Sequence, residues 1–209
     1  MSLKIKVCGM KYQANIKALA DLEPDFMGFI FYPPSKRFIG LDFDKQDINH
    51  LSADIKKTAV FVNAYVHEVV EFSNIYGIKT VQLHGQESPA FCSELKDQGF
   101  TVIKAFGVDE SFNFELLKDY ESQVDFFLFD TKTDLHGGSG MTFNWDLLAN
   151  YTLSKPFLLS GGLSLDNLAE ILEIKHPQLY GVDLNSKFEV EPGLKDIEKL
   201  NKAFKLIRA

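Results

Sequence analysis

Residues 80–106 read TVQLHGQESPAFCSELKDQGFTVIKAF, and this stretch is one complete strand–helix–strand unit. Thr80–Leu83 and Thr101–Phe106 are short runs of β-branched and large apolar residues, the pattern of buried strands. Between them Ser88–Gln98 is amphipathic. Ser88 is placed to cap that helix, Pro89 stands at its first position and Gly99 at its stop. Two strands joined through a helix lie parallel, with a right-handed crossover.

The same unit recurs in both directions along the chain. Further strands are expected at Lys4–Val7, Phe26–Phe31, Thr58–Val62, Phe126–Phe129, Phe157–Ser160 and Leu179–Val182. Helices are expected at Asn15–Leu22, His67–Tyr76, Leu165–Ile174 and Lys195–Ile207, with a weaker helical pattern over Phe112–Tyr120. Eight repeats select the α/β class and a closed (β/α)8 TIM barrel over an open doubly wound sheet, which would call for an early G-x-G-x-x-G. Strand starts are separated by 22, 32, 22, 21, 25, 31 and 22 residues, so the long intervals follow strands two and six. In a barrel such βα loops build the active site, at the C-terminal ends of the strands. No linker or low-complexity stretch interrupts the pattern, and residues 1–209 read as a single catalytic domain.

Composition narrows the function classes. Apolar residues make up 45% and charged residues 24%, which suits a packed globular chain. With 22 basic and 29 acidic residues the net charge is −7, which argues against nucleic acid or an anionic membrane as partner. A small anion remains open, because a few backbone N–H groups and one Arg suffice to bind it. Two cysteines, Cys8 and Cys92, do not make a disulfide scaffold. The N-terminus has no apolar leader and no apolar run reaches membrane-span length, so a cytoplasmic monomer or homodimer is expected.

The barrel reading names the positions that carry chemistry. Strand one ends at Cys8-Gly9, and strand two runs into Ser35-Lys36-Arg37-Phe38. Strand four ends at His84-Gly85, and strand six at Asp130 with Gly137-Gly138-Ser139-Gly140 beyond. Strand seven leads to Ser160-Gly161-Gly162, and strand eight to Asp183-Leu184-Asn185-Ser186. Gly161-Gly162 precedes the expected helix, where free N–H groups favour an oxyanion; a tight βα turn is the plainer explanation. The strand-eight loop would supply the second half of a phosphate site. Alternation puts Lys4, Lys6 and Cys8 on one side of strand one, facing the barrel interior. Asp130 directly follows Phe126-Phe127-Leu128-Phe129, a poorly solvated setting that favours a general acid. Arg37, beside Lys36 in a turn-rich loop, reads either as part of a solvated basic loop or as a carboxylate or phosphate clamp. Cys92 lies within a helix beside Phe91 and reads as structural. The five histidines fall on scattered elements without metal-ligand spacing.

In this order and spacing the chain resembles the phosphoribosylanthranilate isomerase family of tryptophan biosynthesis. The likeness is carried by Lys6-Val7-Cys8-Gly9-Met10, Gly28-Phe29-Ile30-Phe31 with Ser35-Lys36-Arg37-Phe38, Val60-Phe61-Val62-Asn63 and Val81-Gln82-Leu83-His84-Gly85. Gly137-Gly138-Ser139-Gly140, Ser160-Gly161-Gly162, Gly181-Val182-Asp183 and Glu191-Pro192-Gly193-Leu194-Lys195-Asp196 complete it. The resemblance implies a phosphate-binding barrel that performs an Amadori rearrangement of a phosphorylated aminosugar, with no metal or organic cofactor. It implies Asp130 as general acid, Cys8 as general base and Arg37 as partner of the anthranilate carboxylate. Substrate contacts are implied at His84, Asp183, Gly161, Gly162, Asn185 and Ser186, with Ser139-Gly140 closing over the substrate. The chain departs from the family where Ser139 and Met141 replace the usual threonine and lysine, and across Asn185–Glu189. Two rivals are another phosphate-binding barrel enzyme, and a non-catalytic phosphometabolite binder that would not need Cys8 and Asp130.

Overall fold

The computed structural model describes residues 2–40, 43–132 and 142–209. Eight strands close into a parallel barrel: β1 (Lys4–Val7), β2 (Phe26–Ile30), β3 (Lys56–Phe61), β4 (Thr80–Leu83), β5 (Thr101–Val108), β6 (Phe126–Thr131), β7 (Phe157–Leu159) and β8 (Leu179–Leu184). Closure is made by β8 on β1, with Lys6 opposite Asp183 in the register.

Side-chain alternation divides the apolar residues between two cores. Outward positions such as Ile5, Val7, Val81, Leu83, Phe127 and Phe129 join the large cluster under the helices. Inward positions Phe26, Ile103, Ala105, Leu128 and Leu158 form a smaller plug inside the barrel. Each strand therefore dedicates one parity to the helices and the other to the interior. Carried to the C-terminal ends, the inward parity lands on Cys8, Gln82, Asp130 and Asp183. That parity is what places the site.

The unit over residues 80–106 forms as its sequence suggests. Its helix, Pro89–Asp97, is capped by Ser88 Oγ, which accepts from Phe91 N at 3.3 Å, and Gly99 beyond it takes φ +84°. Several boundaries differ from expectation. β5 continues to Val108 and β8 to Leu184, because pairing with a neighbour in a closed sheet extends a strand past its apolar run. Phe114–Tyr120 and Trp145–Asn150 are 3-10 turns, and the helix after β7 covers only Leu168–Leu172. Lys195 does not open the last helix. It lies in a small hairpin, β9 (Glu189–Glu191) with β10 (Leu194–Lys195), and the helix runs Ile197–Arg208, capped by Asp196 Oδ1. Among the described residues no helix is long and apolar enough to cross a membrane.

Candidate active site

At the C-terminal mouth an open cavity is lined by Cys8, Arg37, Gln82, His84, Asp130, Gly161, Gly162, Asp183, Asn185 and Ser186, with Ile30, Val60 and Val62 among its apolar residues. Every site residue expected from the sequence and described in the structure is in that set. Ser139 and Gly140, together with the departure at Met141, lie outside the described residues.

Cys8 is 2% exposed and shares its strand face with Lys6, which is fully buried. Lys6 Nζ donates to Asp183 Oδ2 at 2.8 Å. Although burial opposes its charge, the Asp183 carboxylate holds Lys6 above the ordinary lysine value. Burial pushes the Cys8 thiol up, while Lys6 and Lys195 pull it down and Asp183 opposes them. The thiol therefore rests in a pocket that resists ionisation but holds cations that favour the thiolate. Gly28 leaves room for it: a Cβ there would stand 2.8 Å from Cys8 Sγ. Asp183 Oδ1 has no partner among the described residues. Lys6 was visible to sequence reasoning only as a charge on the inward parity of strand one.

Asp130 follows Leu128 on the interior face of β6. Its Oδ1 accepts from Thr131 N at 2.9 Å, and its Oδ2 lies 3.4 Å from His84 Nε2. The neighbouring turn is shaped around it. Gly161 has φ +86°, and a Cβ would stand 2.3 Å from Thr131 Oγ1 and 2.8 Å from Asp130 Oδ1. Gly161→Ala should therefore destabilise the fold by at least about 1–2 kcal/mol, the penalty for an L-residue in the left-handed region before any clash is counted. Chemical denaturation measures this, and a wild-type midpoint would refute the packing argument.

Arg37 is not a solvated loop cation. Its Nε donates to Glu189 Oε1 and Oε2 at 2.9 and 3.0 Å, and its Nη2 donates to Oε2 at 2.7 Å. Lys195 Nζ reaches the same carboxylate at 2.6 Å and Asn185 Oδ1 at 2.7 Å. Against the effect of burial, Arg37 and Lys195 hold Glu189 below the usual carboxylate range. Burial pulls Lys195 down to about 8, against the pull of Glu189. Nη1 takes no part in the Glu189 pair and belongs to a residue that lines the cavity. Glu189 and Lys195 were missed as site residues from sequence; Glu189 meets Arg37 across 152 residues, and Lys195 reaches Glu189 through the hairpin turn.

The glycine pair is a loop feature rather than a helix terminus. The helix begins at Leu168, and the turn is held by Asn167, whose Nδ2 donates to Gly162 O at 3.1 Å and whose Oδ1 accepts from Ser164 N at 2.8 Å. Gly161 and Gly162 both have positive φ, and Ser186, which opens a short 3-10 turn (Ser186–Phe188), lines the same cavity. Two further buried groups are structural. Lys104 Nζ pairs with Glu87 Oε2 at 3.1 Å and donates to Gly85 O at 2.8 Å, both charged groups being buried. Cys92 is fully buried in its helix, which pushes its thiol up to about 11.

Comparison with known proteins gives a consistent picture. The chain is 45% identical over 197 residues to the N-(5'-phosphoribosyl)anthranilate isomerase of Parabacteroides distasonis, covering 94% of this chain and 89% of that protein. Its fold matches the phosphoribosyl anthranilate isomerase of Thermotoga maritima with a TM-score of 0.87 at 30% identity, over 99% and 98% of the two chains. A further isomerase, crystallised with reduced 1-(o-carboxyphenylamino)-1-deoxyribulose 5-phosphate, matches with a TM-score of 0.85 at 27% identity over the same shares. The family model described as N-(5'phosphoribosyl)anthranilate (PRA) isomerase spans residues 5–206, and the chain belongs to that family.

Proposed function

We propose that this mouth converts N-(5-phosphoribosyl)anthranilate to 1-(2-carboxyphenylamino)-1-deoxyribulose 5-phosphate, with Asp130 as general acid and Cys8 as general base. The observation that carries the assignment is that both residues open on one cavity whose other walls hold a guanidinium and a phosphate-compatible glycine turn.

The chemistry needs two proton transfers. Opening the ribose ring requires a proton on the ring oxygen, which a carboxylic acid donates as the C1–O bond breaks. The resulting Schiff base acidifies the proton on C2, and a thiolate can remove it to give the enolamine, which tautomerises to the ketone. The buried Lys6 beside Cys8 offsets part of the cost of making an anion there, and the iminium supplies further positive charge. Asp183 Oδ1 is an available acceptor for a sugar hydroxyl. Gly161-Gly162 and Asn185-Ser186 hold the phosphate, and Arg37 the anthranilate carboxylate. Steady-state turnover of phosphoribosylanthranilate by the purified chain tests the reaction; no turnover would leave the non-catalytic binder standing.

Arg37→Ala should raise KM by roughly 10–100-fold while kcat stays within a few-fold, since it removes a charge-assisted contact made in both ground and transition states. Glu189 keeps Lys195 as a partner in this variant, so the site should stay folded. An unchanged KM would remove Arg37 from the carboxylate role.

A further inference from the structure

Gln82 is 1% exposed and lies on the inward parity of β4, two residues before His84. Its Nε2 is 3.3 Å from His84 Nδ1, and His84 Nε2 is 3.4 Å from Asp130 Oδ2. Its Oε1 is buried with no partner among the described residues. All three side chains line the same cavity. Burying an amide oxygen without a hydrogen bond weakens a fold, so this residue is not there for stability alone.

We infer that Gln82 is a positioning residue for the acid: its amide donates to His84 Nδ1 and holds the imidazole as the neutral Nε2–H tautomer facing Asp130. A neutral imidazole carries one proton, so a nitrogen that accepts leaves the other nitrogen to donate. The donor then points at the oxygen that becomes negative when Asp130 gives up its proton. Once that proton has left, the opposite tautomer would set a nitrogen lone pair against the carboxylate lone pairs. Backbone geometry supports the arrangement, because His84 N donates to Phe61 O at 2.9 Å and so fixes where the ring starts. The inference rests on Asp130 being the general acid, and the experiment separates the two.

The test is a long-range 15N–1H spectrum of the imidazoles of the 15N-labelled full chain, with His84 assigned by loss of its signals in His84→Asn. The wild type should show His84 as one tautomer, protonated at Nε2. Gln82→Met, similar in volume and without polar atoms, should give a tautomer mixture, with kcat down about tenfold and KM within about twofold. Gln82→Glu should convert His84 to the imidazolium, since a carboxylate accepts from Nδ1–H. A wild-type ring protonated at Nδ1 would overturn the inference without any variant. So would Gln82→Met that keeps the single tautomer, or that loses it with kcat intact. Should Asp130→Asn turn over normally while the His84 tautomer is as expected, the acid assignment fails and the positioning role in catalysis fails with it. Should Asp130→Asn be inactive while the tautomer is wrong, only the role of Gln82 fails.

Discussion

Asp130→Asn is expected to lower kcat by roughly 10²–10⁴-fold while KM stays within a few-fold of wild type. The amide is nearly isosteric with the acid and can still accept from Thr131 N, the bond that anchors Oδ1 in this structure. It cannot donate a proton and accept it back, so what is lost is confined to the transition state of ring opening. Among the described residues Asp130 makes no ion pair with a lysine or arginine, its charged-group neighbours being His84 and Asp183, so the substitution strands no described cation. Equal thermal midpoints for wild type and variant would place the effect in the chemistry rather than in the fold. Turnover within tenfold of wild type would sink the assignment.

Cys8→Ser should be comparably damaging, again by roughly 10²–10⁴-fold in kcat. A serine hydroxyl ionises far above any working pH, and no cation within the protein brings it into range. The thiol is different: burial raises it above its ordinary value, but Lys6 and Lys195 favour the thiolate. The sign of the pH dependence follows. A base must be deprotonated in the free enzyme, and a raised pKa moves that requirement to higher pH. The limb of kcat/KM that reports the thiol should therefore lie on the alkaline side of an ordinary cysteine, and Cys8→Ser should lose that limb. A Cys8→Ser profile that keeps the same limb would assign it to another group.

The sequence of residues 80–106 already contained one barrel unit, because strand alternation, a serine–proline helix start and a glycine stop are all local signals. Repetition of that unit was enough to choose the barrel, and strand-end position made Cys8 and Asp130 candidates among several polar residues, from which the family likeness singled them out. Elements with weak local signals were less legible. The 3-10 turns at Phe114–Tyr120 and Trp145–Asn150 and the five-residue helix Leu168–Leu172 have too few turns for periodicity to register.

What the amino-acid order determined by itself was the eight-fold repeat, the inward parity of Cys8 and the family likeness. What only the tertiary structure decided was the partnership of each charge. Lys6 meets Asp183 across 177 residues and Arg37 meets Glu189 across 152. Both contacts depend on where the chain returns: the first on β8 closing against β1 in one register, the second on the hairpin that follows it. A shift of one residue in that closure would turn Asp183 outward, and no local pattern encodes such a register. Cys8 and Asp130 were therefore legible as candidates at strand ends, while the lysine beside the one and the glutamine–histidine pair behind the other emerge only when the barrel is closed.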